Sequence, residues 1–271
     1  MPQLSASTLK LFQECPRCFW WHINRKIERP RGPFPSLPSG IDRVLKGYFD
    51  TYRKSGTIPP LIDGKLEGRL ATSALTLGFN DDAVHARLWG KLDDCVVSPD
   101  ERLAPLDHKT RASAPDDLSY TQKYYQFQMD VYTLLLERNG YPTSRSAYVV
   151  YYFPLEGMLH QGFPFGVVVH KVATDPEGAY QIFTDACRAL AGPLPEASGA
   201  CAFCRWAEAR VERSHAAGRR DEAQRPMSAQ TTHSQRSPRF GPSAPARLSP
   251  EPGRAGGAGA GGGTIPDDLF A

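Results

Sequence analysis

Apolar residues recur at helical spacing in two long stretches. Over Ile41–Lys54 they are Val44, Leu45, Tyr48, Phe49 and Tyr52, and over Leu118–Asn139 they are Phe127, Val131, Leu134 and Leu135. Gly140 and Pro142 end the second helix. Ser5 or Ser7 is placed to cap a short helix carrying Leu9, Leu11 and Phe12. Between the helices, apolar runs rich in Val, Tyr and Leu predict strands over Gly64–Ala71, Ala83–Val97, Arg102–Thr110, Ala147–Phe153 and Gly162–Val172. A last helix is predicted over Asp175–Leu190. The order is helix, helix, strands, helix, strand, strand, helix, without an internal repeat, which predicts an α/β domain.

The pattern changes after about Arg210. From Ser214 to Gly263 Arg, Ser, Pro, Ala and Gly dominate, and large apolar residues are few. Such a segment buries too little surface to offset its ordering entropy. The expected organisation is a folded body at 1–210 and a disordered tail at 211–271. Of the 271 residues, 41% are hydrophobic, enough for a real core, and the net charge of +3 permits nucleic acid without demanding it. Met1-Pro2-Gln3-Leu4-Ser5 has neither a basic start nor an apolar stretch, and no run is long enough to span a bilayer. A cytoplasmic location is expected, and no membrane partner.

The candidate chemistry starts with Gly90-Lys91-Leu92-Asp93 and Leu106-Asp107-His108-Lys109. Strand alternation puts Asp107 and Lys109 on one face. Ser98-Pro99-Asp100-Glu101 between the two motifs is a turn signal. A hairpin folded there sets Asp93 opposite Leu106 or Asp107, with a lysine beside two carboxylates. Like charges that close need a cation between them, and a divalent metal supplies one. Taken singly, Asp-x-Lys is usually a solvated surface pair. Gln128 and Tyr132, four apart on the long helix, face one way and can orient a lysine, a water or a phosphate. Tyr125 and Gln126 offer a competing polar pair.

Six cysteines in a reducing compartment suggest metal ligands or buried thiols before disulfides. Cys15-Pro16-Arg17-Cys18 and Cys201-Ala202-Phe203-Cys204 lie at opposite ends of the body. Two such pairs complete a tetrahedral four-thiolate site for zinc or an iron–sulfur cluster, closing a very long loop. Buried or redox-active thiols are the alternative. Cys95 and Cys187 read as core.

These residues resemble a family. Leu4-Ser5-Ala6-Ser7-Thr8-Leu9 through Phe12, Cys15-Pro16 and Phe19 look like the opening of RecB-like nucleases of the PD-(D/E)XK superfamily. Gly90-x-x-Asp93, Asp107-x-Lys109 and Gln128-x-x-x-Tyr132 resemble that family's successive motifs, in order, over roughly residues 4–206. The terminal cysteines are similar to those of AddB-type and CRISPR-associated RecB-like nuclease domains. There are departures. Those relatives usually carry one early and three late cysteines; here the split is two and two, with Arg210 where a further late cysteine would fall, which favours zinc. Such nucleases also often carry a metal-binding His on the second helix, where this chain has Asp42 and Lys46.

The resemblance implies a restriction-endonuclease-like core, a central mixed sheet flanked by helices. It implies a Mg²⁺- or Mn²⁺-dependent deoxyribonuclease, an exonuclease, acting in DNA repair, recombination or defence. Asp93 and Asp107 would hold the metal with the His108 backbone carbonyl, and Asp42 is the candidate for the missing ligand. Lys109 would position or activate the attacking water, and Gln128 and Tyr132 would orient Lys109 or the DNA strand. Trp20, Trp21, Tyr124 and Tyr125 are candidates for stacking on single strands. The His108 ring points away and is not expected to act as a base. In the tail, six arginines from Arg213 to Arg239 read as a linker or a nucleic-acid tether. Thr264-Ile265-Pro266-Asp267-Asp268-Leu269-Phe270-Ala271 reads as a free end or a docking tip for a protein partner. Competing readings of the whole are a non-catalytic nucleic-acid-binding or scaffold protein with a cysteine metal site, and a thiol redox protein using Cys15 and Cys18.

Overall fold

The structure, a computed structural model, describes residues 1–30, 32, 36–157 and 159–209. The chain divides into Met1–Arg219 and Arg220–Ala271, and every described residue belongs to the first unit. The tail at 211–271, with its arginines and its acidic–hydrophobic end, and Arg210 lie outside the described residues.

The chain runs β1 (Gln3–Leu4), α1 (Ala6–Glu14), α2 (Pro16–Arg25), α3 (Ser36–Arg53), β2 (Arg69–Leu70), β3 (Thr76–Asp81), β4 (Ala86–Lys91), β5 (Asp94–Val97), β6 (Leu103–Thr110), α4 (Leu118–Tyr124), α5 (Gln126–Arg138), β7 (Ser146–Pro154), β8 (Phe165–Ala173) and α6 (Pro176–Ala191). The strands form a three-stranded sheet, β1-β4-β3, and a five-stranded sheet, β2-β5-β6-β7-β8. Both are mixed: β1–β4 and β6–β7 are parallel, and the other pairs are antiparallel. With helices flanking the sheets, this is the mixed α/β class expected, consistent with a restriction-endonuclease-like fold.

Several elements differ from the sequence expectation. The run Ala83–Val97 is two strands in two sheets, because β4 pairs with β3 while β5 pairs with β6. Leu92 and Asp93 are the residues of that switch. β3, not anticipated, supplies the partner that β4 needs. The strand expected over Gly64–Ala71 shrinks to Arg69–Leu70. Gly68 has φ 118°, and a Cβ there would lie 2.3 Å from the Val97 carbonyl oxygen, so the chain turns sharply into the sheet. The long helix breaks at Tyr125, whose ring packs on Tyr151 at 6.0 Å. α2 is also additional. Pro16 keeps Cys15 extended (φ −161°) and occupies the first turn of α2, so α1 must stop there. Ser5 caps α1 in a capping box with Thr8.

Two apolar layers hold the five-stranded sheet. Leu106, Tyr148, Val150 and Tyr152 pack with Phe49 of α3, Ile62 and Leu70. Ala147, Val149 and Tyr151 pack on the opposite face with Met129 of α5. A one-residue slip of β6 would take Leu106 out of the apolar layer under α3 and drive the Asp107 charge into it. The register that places Asp94 opposite Leu106 is therefore strongly specified.

Candidate active site

Asp93 follows the end of β4 and precedes β5. Continuing the ladder from Asp94↔Leu106 by one step sets Asp93 opposite Asp107. Its Oδ2 accepts from the His108 backbone N–H at 3.4 Å. Asp107 is buried in β6 with its carboxylate turned toward α5. Lys109, two residues on and on the same face, ion-pairs with Asp107 Oδ2. Its ammonium also lies 5.1 Å from the centroid of the Tyr125 ring. From α5, Gln128 Nε2 donates to Asp107 Oδ1 at 2.8 Å and to the Tyr132 hydroxyl at 2.9 Å.

Gly90 lets α5 come this close. A Cβ at Gly90 would lie 2.9 Å from Leu135 Cδ1 and 3.3 Å from Tyr132 Cε1. The glycine of Gly90-x-x-Asp93 is thus a packing requirement that sets where Tyr132 stands, and Tyr132 in turn receives Gln128.

Burial pushes the Asp107 carboxyl above its usual range; Lys109 opposes the shift and the Asp93 charge adds to it. Burial, followed by the Asp107 charge, raises the Tyr132 phenol well above its ordinary value, so it stays neutral. Burial raises the Tyr125 phenol to about 12.

Asp107 Oδ2 is held by the Lys109 ammonium and Oδ1 by Gln128. With Asp93 set opposite, the site offers two carboxylates, hard oxygen donors of the kind that hold a divalent cation. Such a donor set is suited to Mg²⁺ or Mn²⁺.

Asp42 reaches this constellation through another residue. On α3 it accepts from Lys46 at 2.8 Å, and Lys46 Nζ lies 4.0 Å from Asp93 Oδ1. The His108 ring points to the opposite face, as alternation requires. There it meets Tyr152 Oη at 2.9 Å and Asp94 Oδ2 at 3.1 Å, and packs at a tilt on the Phe49 ring at 4.3 Å. Arg53 completes that buried network with a 2.8 Å bond to Asp94 Oδ1. Neither Lys46 as a neighbour of Asp93 nor the Arg53–Asp94–His108–Tyr152 chain was legible in sequence. The only trace was the i,i+4 spacing of Asp42 and Lys46. Gln126 turns away, donating to Asp130 at 2.8 Å and to the Ala173 carbonyl at 2.7 Å, where it ties α5 to the end of β8.

The other constellation is also assembled. The Sγ atoms of Cys15, Cys18, Cys201 and Cys204 lie within 4.8 Å of one another, with Cys18 3.6 Å from both Cys201 and Cys204. None is in a disulfide. Burial acts to raise the Cys201 thiol, but the Cys204 backbone N–H and bonds from the neighbouring thiols bring it down to about 6. Arg29 Nη2 donates to Cys201 Sγ at 3.7 Å. Four soft ligands this close can bind one metal ion. Cys95 and Cys187 are buried apart from them; burial raises their thiols to about 12 and about 11.

A family model described as the PD-(D/E)XK nuclease superfamily matches residues 37–209, well over half of the chain. No curated protein matches. A solved structure described as "Crystal structure of SSO0001" is similar over 69% of this chain and 75% of its own, at 13% identity and a TM-score of 0.40. Among the described residues no helix is long and apolar enough to cross a membrane.

Proposed function

The chain belongs to the PD-(D/E)XK nuclease superfamily, and from that premise we propose that it is a RecB-like, Mg²⁺- or Mn²⁺-dependent deoxyribonuclease. The observation that carries the reading is the buried Asp107 carboxylate, ion-paired to Lys109 and one ladder step from Asp94↔Leu106, which sets it opposite Asp93.

Asp93 and Asp107 would hold the cation, with the His108 carbonyl as a further oxygen ligand; Asp42 stands nearby, bonded to Lys46. When bound, a divalent cation there supplies charge neutralisation at the scissile phosphate and lowers the pKa of a water. The protein does the rest by position. Gln128 clamps Asp107 through Oδ1 and leaves Oδ2 to Lys109. Lys109, held between Asp107 and the Tyr125 ring, presents an ammonium to the developing negative charge and orients the attacking water. Tyr132, neutral, accepts from Gln128 and keeps its amide aimed at Asp107.

The four cysteines act in this reading as a staple for zinc or an iron–sulfur cluster, joining the start of the body to its end. The pathway proposed is DNA repair, recombination or defence in the cytoplasm, by exonucleolytic action, with residues 1–210 as the nuclease domain. The test is cleavage of labelled linear and covalently closed DNA with Mn²⁺. Cleavage of linear DNA alone is the expected outcome. No cleavage above that of an Asp107→Ala control would sink the enzyme reading and leave a nucleic-acid-binding scaffold.

A further inference from the structure

Lys46 has no place in the motifs, yet it touches the site. Its ammonium donates to Asp42 at 2.8 Å and stands 4.0 Å from Asp93 Oδ1, with its side chain half exposed at the mouth of the carboxylate pair. An i,i+4 pair on a helix surface needs no third partner. Here the third partner is on another element, at the switch between the two sheets. α3 cannot drift from it, because Phe49, three residues on from Lys46, is fully buried and packs on the His108 ring at 4.3 Å. The hydrogen bond to Asp42, opposed by burial and joined by the Asp93, Asp42 and Asp107 charges, keeps Lys46 protonated.

We propose that Lys46 is a second lysine of the active site: its ammonium orients the outer oxygen of Asp93, tempers how tightly the carboxylate pair holds a divalent cation, and meets the incoming phosphodiester. This rests on the nuclease reading above. A positive charge near 4 Å from a metal ligand repels the metal, and for a half-exposed group the effect is on the order of tenfold in affinity. The same charge favours the approach of a phosphate, so its removal should move metal and DNA affinity in opposite directions. A lysine that merely holds α3 in place would move both the same way.

The experiment titrates Mn²⁺ into the full-length, chelator-treated chain and follows the signal of free Mn²⁺ by electron paramagnetic resonance. An Asp93→Asn variant locates the ion. Lys46→Gln is expected to bind Mn²⁺ about tenfold more tightly, yet to need more DNA for half-maximal cleavage at saturating Mn²⁺. Lys46→Arg should restore both values toward those of the unsubstituted chain. Equal or weaker Mn²⁺ affinity in Lys46→Gln overturns the inference while leaving the nuclease reading standing. Absence of any Mn²⁺ signal that depends on Asp93 overturns both.

Discussion

Gln128 on α5 donates to Asp107 Oδ1 on β6 at 2.8 Å, and this bond leaves the other oxygen of the buried carboxylate, Oδ2, to the Lys109 ammonium. The carboxylate is thus fixed between an amide and an ammonium, with Asp93 opposite it just before β5.

Asp107→Asn should separate function from stability. The amide oxygen can still accept from Gln128, and the buried charge disappears. Cleavage should fall by about 10²–10³-fold or more. The metal-free protein should gain about 1 kcal/mol, read as a rise in melting temperature of roughly 2–4 °C. A melting temperature lowered by that amount would show that the Lys109 ion pair outweighs the desolvation of Asp107.

Metal binding should depend on pH with a definite sign. Burial raises the folded Asp107 above the ordinary carboxylate value, so the native chain holds this proton more tightly than the unfolded one. The group's contribution to metal-free stability is complete below the ordinary value and is lost as pH rises through the raised one. A cation must displace the same proton. Mn²⁺ affinity, and the gain in melting temperature it confers, should therefore increase with pH across the acidic range. Calorimetry in buffers of different ionisation enthalpy should also register proton release; a flat profile without release would contradict this.

Loss of the cysteine site should unfold the body while sparing the carboxylates. Cys18 and Cys201 are 183 residues apart, and on the chain-entropy model closing a loop of that size contributes about 5 kcal/mol. Cys18→Ser, or a strong chelator, should remove one equivalent of bound zinc, or the iron of a cluster, and lower the melting temperature markedly. Elemental analysis and thermal scans check this. A thiol redox role would instead show loss of thiol exchange with an unchanged melting temperature.

Gly90→Ala should damage the site from a distance. Its Cβ would meet Leu135 Cδ1 at 2.9 Å and Tyr132 Cε1 at 3.3 Å, so the buried Leu135 side chain and the Tyr132 ring must give way. A stability loss of about 1–3 kcal/mol is expected. Cleavage should fall further than folding alone explains, because Gln128 moves with Tyr132. Activity measured well below the melting temperature separates the two effects.

Arg53→Met should be costly although it touches no proposed ligand. It strands the Asp94 carboxylate, 2% exposed, against His108. Breaking such a buried pair costs about 3–5 kcal/mol. Chemical denaturation with an unchanged slope would give this value directly.

What could be read from sequence follows periodicity. Asp107 and Lys109 share a face, and His108 does not, because strand alternation is local. Gln128 and Tyr132 share a face because they are one helical turn apart. The hairpin was legible, but it left Asp93 opposite Leu106 or Asp107, and only the pairing of Asp94 with Leu106 decided for Asp107. The two strands hidden in Ala83–Val97 were not legible. Leu88, Leu92 and Val96 are all apolar and buried, and nothing local says that the first belongs to one sheet and the last to another.

The sequence by itself determined which residues are the candidates for chemistry and, through alternation and helical turn, which near neighbours share a face. Only the tertiary structure decided what lies across from them. The carboxylate pair forms where one strand run changes sheets, α5 approaches because Gly90 has no side chain, and Lys46 reaches Asp93 because Phe49 anchors α3 on His108. The four thiols meet because both ends of the body return to one place. Each of these is a contact between residues far apart in the chain, set by how whole layers pack, and packing leaves no periodic signature in the residues it joins.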